Sequence, residues 1–110
     1  MKVIPVRTRI FREGENLSAF ITKHIPKLKE GSVLAVTSKI VALSEGRTVV
    51  LKNKKEKEAL IQRESEWAQK VLPEWWLTVR DGTVVVNAGI DDSNASGKTI
   101  LLPKDSFKSA

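Results

Sequence analysis

Between Asn87 and Pro103 the chain reads NAGIDDSNASGKTILLP. Asp91 and Asp92 are hard oxygen donors, the kind that hold magnesium or manganese beside the phosphates of a substrate. Asn94 adds an amide donor and a carbonyl acceptor. Gly89 and its small neighbour Ala88 stand where the β-rich run Thr83–Val86 ends, so the backbone can come close to a ligand there. The same composition also makes an Asx-rich turn, because Asp, Ser and Asn hydrogen-bond their own backbone. The residues by themselves leave both readings open.

Gly97-Lys98-Thr99 has the ending of a phosphate-binding loop, and its spacing is wrong for one. Such a loop needs a second glycine five positions earlier, so that successive N–H groups curl around the phosphates. Asp92 stands there, and its carboxylate repels phosphate. The loop should also open a helix, whereas Thr99–Leu102 reads as a strand. A second cluster, Thr37-Ser38-Lys39, follows an apolar run, and ligands favour strand ends in α/β arrangements. A hydroxyl pair with a lysine serves a phosphate; a lysine at such a place is also often only solvated. His24, with Lys23 and Lys27 near it, reads as a surface residue.

The elements that must position these residues can be sketched along the chain. Lys2–Ile10 alternates apolar and polar residues and predicts a strand. A turn at Gly14 leads to Asn16, which can cap a helix carrying Leu17, Phe20, Ile21 and Ile25 at helical spacing. Ser32–Thr37 has the apolar character of a buried strand. Ser38–Ser44 predicts a connector or short helix, and Arg47–Lys52 another strand. Lys54–Leu72 predicts one long helix with an apolar face of Leu60, Ile61, Trp67 and Val71, closed by Pro73. Trp75–Arg80 and Thr83–Asn87 flank Asp81-Gly82, the strongest short hairpin signal. In a regular strand Trp75 and Trp76 point to opposite faces, so a partner, or further polypeptide, is expected to cover the second face. Two to three helices among such strands predict an α+β fold with a mixed or antiparallel sheet over residues 1–110.

Composition sets outer limits. A chain of 110 residues suits one modest core. With no cysteine there is neither a disulfide framework nor a thiolate zinc site, which agrees with a cytoplasmic location. The N-terminal run is broken by charges, unlike a signal peptide, and no apolar stretch is long enough to span a bilayer. The formal charge of +6 favours phosphate-bearing partners. Much of it sits at Lys52, Lys54, Lys55 and Lys57, where Glu56 and Glu58 allow local pairing on a solvated helix. Three Phe, three Trp and no Tyr are few for a base-stacking platform, which argues against nucleic acid.

Several stretches together resemble the coenzyme F-420 gamma-glutamyl ligase family. They are Arg12–Leu17, the Gly31–Val41 stretch with Thr37-Ser38-Lys39-Ile40-Val41, Ser44-Glu45-Gly46-Arg47, Glu64-Ser65, and above all Asn87–Asp91 followed by Ser93-Asn94. Leu101-Leu102-Pro103 and Ser109-Ala110 continue the pattern. The resemblance covers nearly the whole chain and only the N-terminal half of the family's length. It implies a GTP-dependent ligase that adds L-glutamate through a gamma-linkage to a deazaflavin coenzyme precursor, with Mg2+ or Mn2+. By position it implies Asp91 as a metal ligand and Thr8, Arg9, Ile10, Phe11, Ser38, Lys39 and Asn94 as nucleotide contacts. It further implies a homodimer, or association with the half this chain does not resemble.

The chain also departs from the family. Leu43 replaces an expected lysine, the first loop lacks the family's proline-containing pattern, and the stretch from Arg47 to Glu64 is short. These departures keep a second expectation in play, a nucleotide-binding or interaction domain without ligase chemistry. A small basic nucleic-acid-binding protein is the third.

Overall fold

The computed structural model describes residues 1–93 and 97–110. The fold is α+β, as the sequence predicts, and its two sheets are both antiparallel. Helices α1 (Leu17–His24) and α2 (Ser38–Ser44) come first, followed by strand β1 (Thr48–Val49) and helix α3 (Lys54–Arg63). A meander of β2 (Trp67–Leu72), β3 (Trp75–Arg80) and β4 (Thr83–Val86) leads into a 3-10 turn at Asn87–Gly89. Strand β5 (Thr99–Ile100) and helix α4 (Ser106–Ser109) complete the chain. β5 returns to pair with β1. Among the described residues no helix is long and apolar enough to cross a membrane.

Local signals form where expected. Asn16 Oδ1 accepts from the Ala19 N–H at 2.8 Å and caps α1, and Asn53 caps α3 in the same way through Glu56 N–H at 2.9 Å. Asp81 and Gly82 both take positive φ, 49° and 68°. That is the two-residue turn whose twist matches antiparallel strands.

Three expectations are corrected. The long helix over 54–72 stops at Arg63, and Trp67–Leu72 is a strand paired with β3 from Trp67↔Val79 onward. Trp67 and Val71 suit a helix face and a strand equally, and the cross-strand neighbours decide. Lys2–Ile10 and Ser32–Thr37 are not strands. Both are exposed and without regular pairing among the described residues, with Ile10 87% and Val33 93% exposed. A strand-forming sequence needs a partner edge before it becomes a strand.

The main core lies on the inner face of the meander. Ile61 of α3 packs on Trp76 and Ala88, with Ala68 and Ile90 beside them. A smaller cluster joins Phe11 to Phe20 of α1, ring centroids 4.9 Å apart and edge to face. Arg9 lies over the Phe20 ring.

Candidate functional site

The site is built by an unusual turn. Asn87, Ala88 and Gly89 all take positive φ, at 51°, 54° and 69°. For the first two this left-handed backbone costs energy, which the surroundings must repay. Asn87 Oδ1 accepts from Trp76 N–H at 2.8 Å, and its Nδ2 donates to the Glu74 carbonyl. The fully buried Thr78 hydroxyl donates to the Val85 carbonyl and accepts from Ala88 N–H at 2.9 Å. Gly89 has a reason the sequence did not reveal. A Cβ there would lie 2.5 Å from Leu102 Cδ1. A close approach within the protein, to Leu102, thus favours glycine here.

The turn delivers Asp91 to the end of the short sheet, where it exchanges two 2.8 Å backbone hydrogen bonds with Ile100. Its Oδ1 accepts from Ser93 N–H at 3.0 Å and from the Ser93 hydroxyl. Its Oδ2 meets the Lys39 ammonium at 2.5 Å. The Lys39 contact, then the Ser93 bonds, hold the Asp91 carboxyl down to about 2. Two residues 52 positions apart in the chain, one read as a metal ligand and the other as a nucleotide contact, therefore meet as one ion pair. The Asx-turn reading of this stretch is realised through Oδ1, while Oδ2 is engaged by Lys39.

Ser38 opens α2 beside Lys39 and is exposed. Thr8, Arg9, Ile10 and Phe11 make other contacts. Arg9 pairs with Glu15 at 2.9 Å, and the Phe11 side chain is buried in the small cluster. Thr8 and Ile10 are exposed. Asn94 lies outside the described residues. The loop after this segment is tied to the rest through Glu13, which accepts from Thr48 and from Lys98 at 2.7 Å. Those hydrogen bonds hold the Glu13 carboxyl below its ordinary value. Lys98 is the lysine of the false phosphate loop. It is engaged by a carboxylate, and Thr99 enters a strand, as its spacing predicts.

Two sequence readings change. His24 is half-buried, its Nδ1 2.8 Å from the Phe20 carbonyl and its ring against Phe20. It is a packed residue, not surface decoration. Two of the four lysines of the run are paired, and with partners outside it: Lys54 with Glu74 at 2.7 Å and Lys57 with Asp92.

A partly buried ion cluster is absent from the sequence reading. Glu64 Oε2 accepts from Arg47 at 2.5 Å and from Arg80 at 2.6 Å. Arg47 Nε also donates to the Leu102 carbonyl, and Arg80 donates to the Pro103 carbonyl. Burial pushes the Glu64 carboxyl up, and the Arg80 and Arg47 hydrogen bonds outweigh it, leaving a net lowering. The cluster fastens the end of α3 to β1, β3 and the segment after β5. Its signal was present as motif residues, Glu45-Gly46-Arg47 and Glu64-Ser65, without any hint that they meet.

With this geometry the relatives can be weighed. The family model described as F420-0:Gamma-glutamyl ligase matches residues 5–110. This chain belongs to that family. Proteins named coenzyme F420:L-glutamate ligase are similar to it. The one from Methanopyrus kandleri is 33% identical over 97% of this chain and 49% of its own length. The one from Archaeoglobus fulgidus is 32% identical over 94% of this chain and 48% of its own length. For Halorubrum lacusprofundi the figures are 35%, 90% and 48%. The chain spans about half the length of the curated ligases it matches.

Proposed function

We propose that this chain supplies part of a GTP- and divalent-metal-dependent ligase that adds L-glutamate, by a gamma-linkage, to a deazaflavin coenzyme precursor. Its relatives are named for glutamate ligation to coenzyme F420. The observation that carries the reading to particular residues is the Lys39–Asp91 pair.

The chemistry is phosphoryl transfer followed by acyl transfer. An acceptor carboxylate oxygen attacks the γ-phosphorus of GTP, and the bond to the bridging oxygen breaks, releasing GDP. The glutamate amine then attacks the acyl carbon. Phosphate leaves with the bonding electrons, and the amine loses a proton. Positioning and charge neutralisation supply most of the rate in such steps.

Asp91 would hold Mg2+ or Mn2+, since its carboxylate already accepts one cation, the Lys39 ammonium. When bound, the ion supplies neutralisation of phosphate charge. Lys39 would then present its ammonium to a phosphate oxygen. Ser93 keeps Asp91 oriented through Oδ1. The remaining ligands come from phosphate and from further polypeptide, since the described residues bring together no group of three metal-binding side chains.

That same sparse donor set, with Leu43 in place of a lysine, favours a second reading: nucleotide binding without ligation. The test is glutamate addition to the precursor with GTP and Mn2+, by the chain alone and beside the half of the Methanopyrus kandleri ligase it does not match. GTP-dependent addition that ATP does not support and Asp91→Asn abolishes is expected. Nucleotide binding without addition in either mixture establishes the second reading.

A further inference from the structure

Lys39 and Asp91 stand on different supports. Lys39 lies in the first turn of α2, and Asp91 follows the Asn87–Gly89 turn. Their ion pair is one link between the two. A ligand that engages either charge takes that link away. Other contacts must then keep α2 and the Asp91 segment in register while the ligand is bound, because a site loses affinity when its charged groups drift apart.

The backbone supplies part of the hold. Asp91 exchanges two 2.8 Å hydrogen bonds with Ile100, which stands opposite Thr48 in the short sheet. Side chains grip the same segment on either side of residues 94–96. Asp92 pairs with Lys57 of α3, and Lys98 pairs with Glu13 at 2.7 Å. The second grip leads back to α2. Glu13 precedes Gly14, whose N–H donates to the Leu43 carbonyl of α2 at 3.0 Å. The other Glu13 oxygen accepts from the Thr48 hydroxyl of β1. One carboxylate thus joins the first loop to β1 and to Lys98. With the Lys39–Asp91 pair these contacts close a ring, from α2 to the first loop, on to Lys98, and back to α2 through Asp91.

We propose that Glu13 is a positioning residue for the Lys39–Asp91 site: through Lys98 and Gly14 it keeps Asp91 beside α2 when a ligand takes over their ion pair. Stability is a poor reason for the Glu13–Lys98 contact, since the two side chains are 32% and 46% exposed and such pairs contribute little. Direct binding is a poor reason too, since a carboxylate repels phosphate. Geometry is the remaining role, and it gives Glu13 an effect opposite in sign to that of its charge. The proposal rests on the nucleotide and metal reading of the site and adds to it a residue that touches neither ligand.

The test compares the wild-type chain with Glu13→Gln, Lys98→Met and the double variant. GTP is titrated by calorimetry in the presence of MnCl2, and hydrogen exchange is followed without ligand over residues 91–93 and 97–101. Each single variant should weaken GTP binding by about tenfold, as loss of a contact behind a ligand-bearing residue does. The double variant should weaken it no further than either one. Thermal midpoints without ligand should stay near wild type, and exchange should quicken in all three variants. The sign for Glu13→Gln is decisive: removing a negative charge tightens phosphate binding if charge alone acts, and weakens it if position does. Tighter or unchanged GTP binding in Glu13→Gln overturns the proposal, and so do effects of the two substitutions that simply add. If wild type binds no GTP, the ligase reading fails by itself and exchange decides the proposal. Faster exchange that reaches 91–93 in both single variants, and goes no further in the double variant, upholds it; unchanged exchange there overturns it.

Discussion

Residues 60–93 and residues 1–37 of this chain are built from sequences of similar strand character, and only the first stretch becomes a sheet. In the meander each strand meets its neighbour within a two-residue turn, at Pro73-Glu74 and at Asp81-Gly82. Closing so short a loop costs little entropy. α3 then covers one face through Ile61. In the N-terminal stretch α1 is capped and forms, while the runs on either side of it stay extended and exposed. Alternation of apolar residues thus states what a segment can become, and the nearness of a partner decides whether it does.

The comparison breaks most readily at the partly buried ion cluster that holds the ordered side together. Replacing Glu64 by Gln leaves two arginines facing each other without their carboxylate, a change expected to cost about 3 kcal/mol in urea unfolding. The pH dependence has a definite sign. Glu64 is lowered from its ordinary value, so its contribution is full above the ordinary carboxylate range and is lost as pH falls through the lowered value. Wild type should therefore lose stability on acidification more steeply than Glu64→Gln. Parallel acid profiles would show that the cluster does not couple folding to this carboxyl.

Gly89→Ala comes next. Its Cβ must displace Leu102 and its backbone sits at φ 69°, an overpacking and strain expected to cost about 2 kcal/mol. Unchanged stability would mean that the turn relaxes freely. Removing the α1 cap with Asn16→Ala should cost about 1 kcal/mol, read as a lower thermal midpoint. The smallest effect belongs to the extended side: Val33→Ser should change stability by under ~0.5 kcal/mol, because Val33 is exposed. A larger loss would show that Ser32–Thr37 is already packed, and would erase the contrast between the two regions.

What was legible in the sequence follows the same division. The Asp-Gly hairpin, the Asn16 cap and the strand at Thr99 depend on a few adjacent residues, and each reads correctly. The strand at Trp67–Leu72 did not, because Trp67 and Val71 satisfy helical and strand periods alike and only β3 distinguishes them. The pairings at the site were equally hidden. Asp91 and Lys39 were each singled out by type, yet nothing local shows that the strained Asn87–Gly89 turn would set one carboxylate on that ammonium. Arg47, Glu64 and Arg80 come together from three elements, a relation no spacing rule contains.

The proposal that Asp91 and Lys39 form an exchangeable cation and phosphate site is open to a thermal-midpoint measurement. The midpoint should be measured for the wild-type chain, Asp91→Asn and Lys39→Met, each with and without GTP plus MnCl2. Both residues are partly exposed, so the variants alone should shift stability little. A ligand bound only to the folded chain stabilises it by about 2.7 kcal/mol at a hundredfold excess over its dissociation constant. The expected result is a rise of several degrees in wild type that is lost in Asp91→Asn and reduced in Lys39→Met. A rise of equal size in all three proteins, or none in a cooperatively folding wild type, would contradict it.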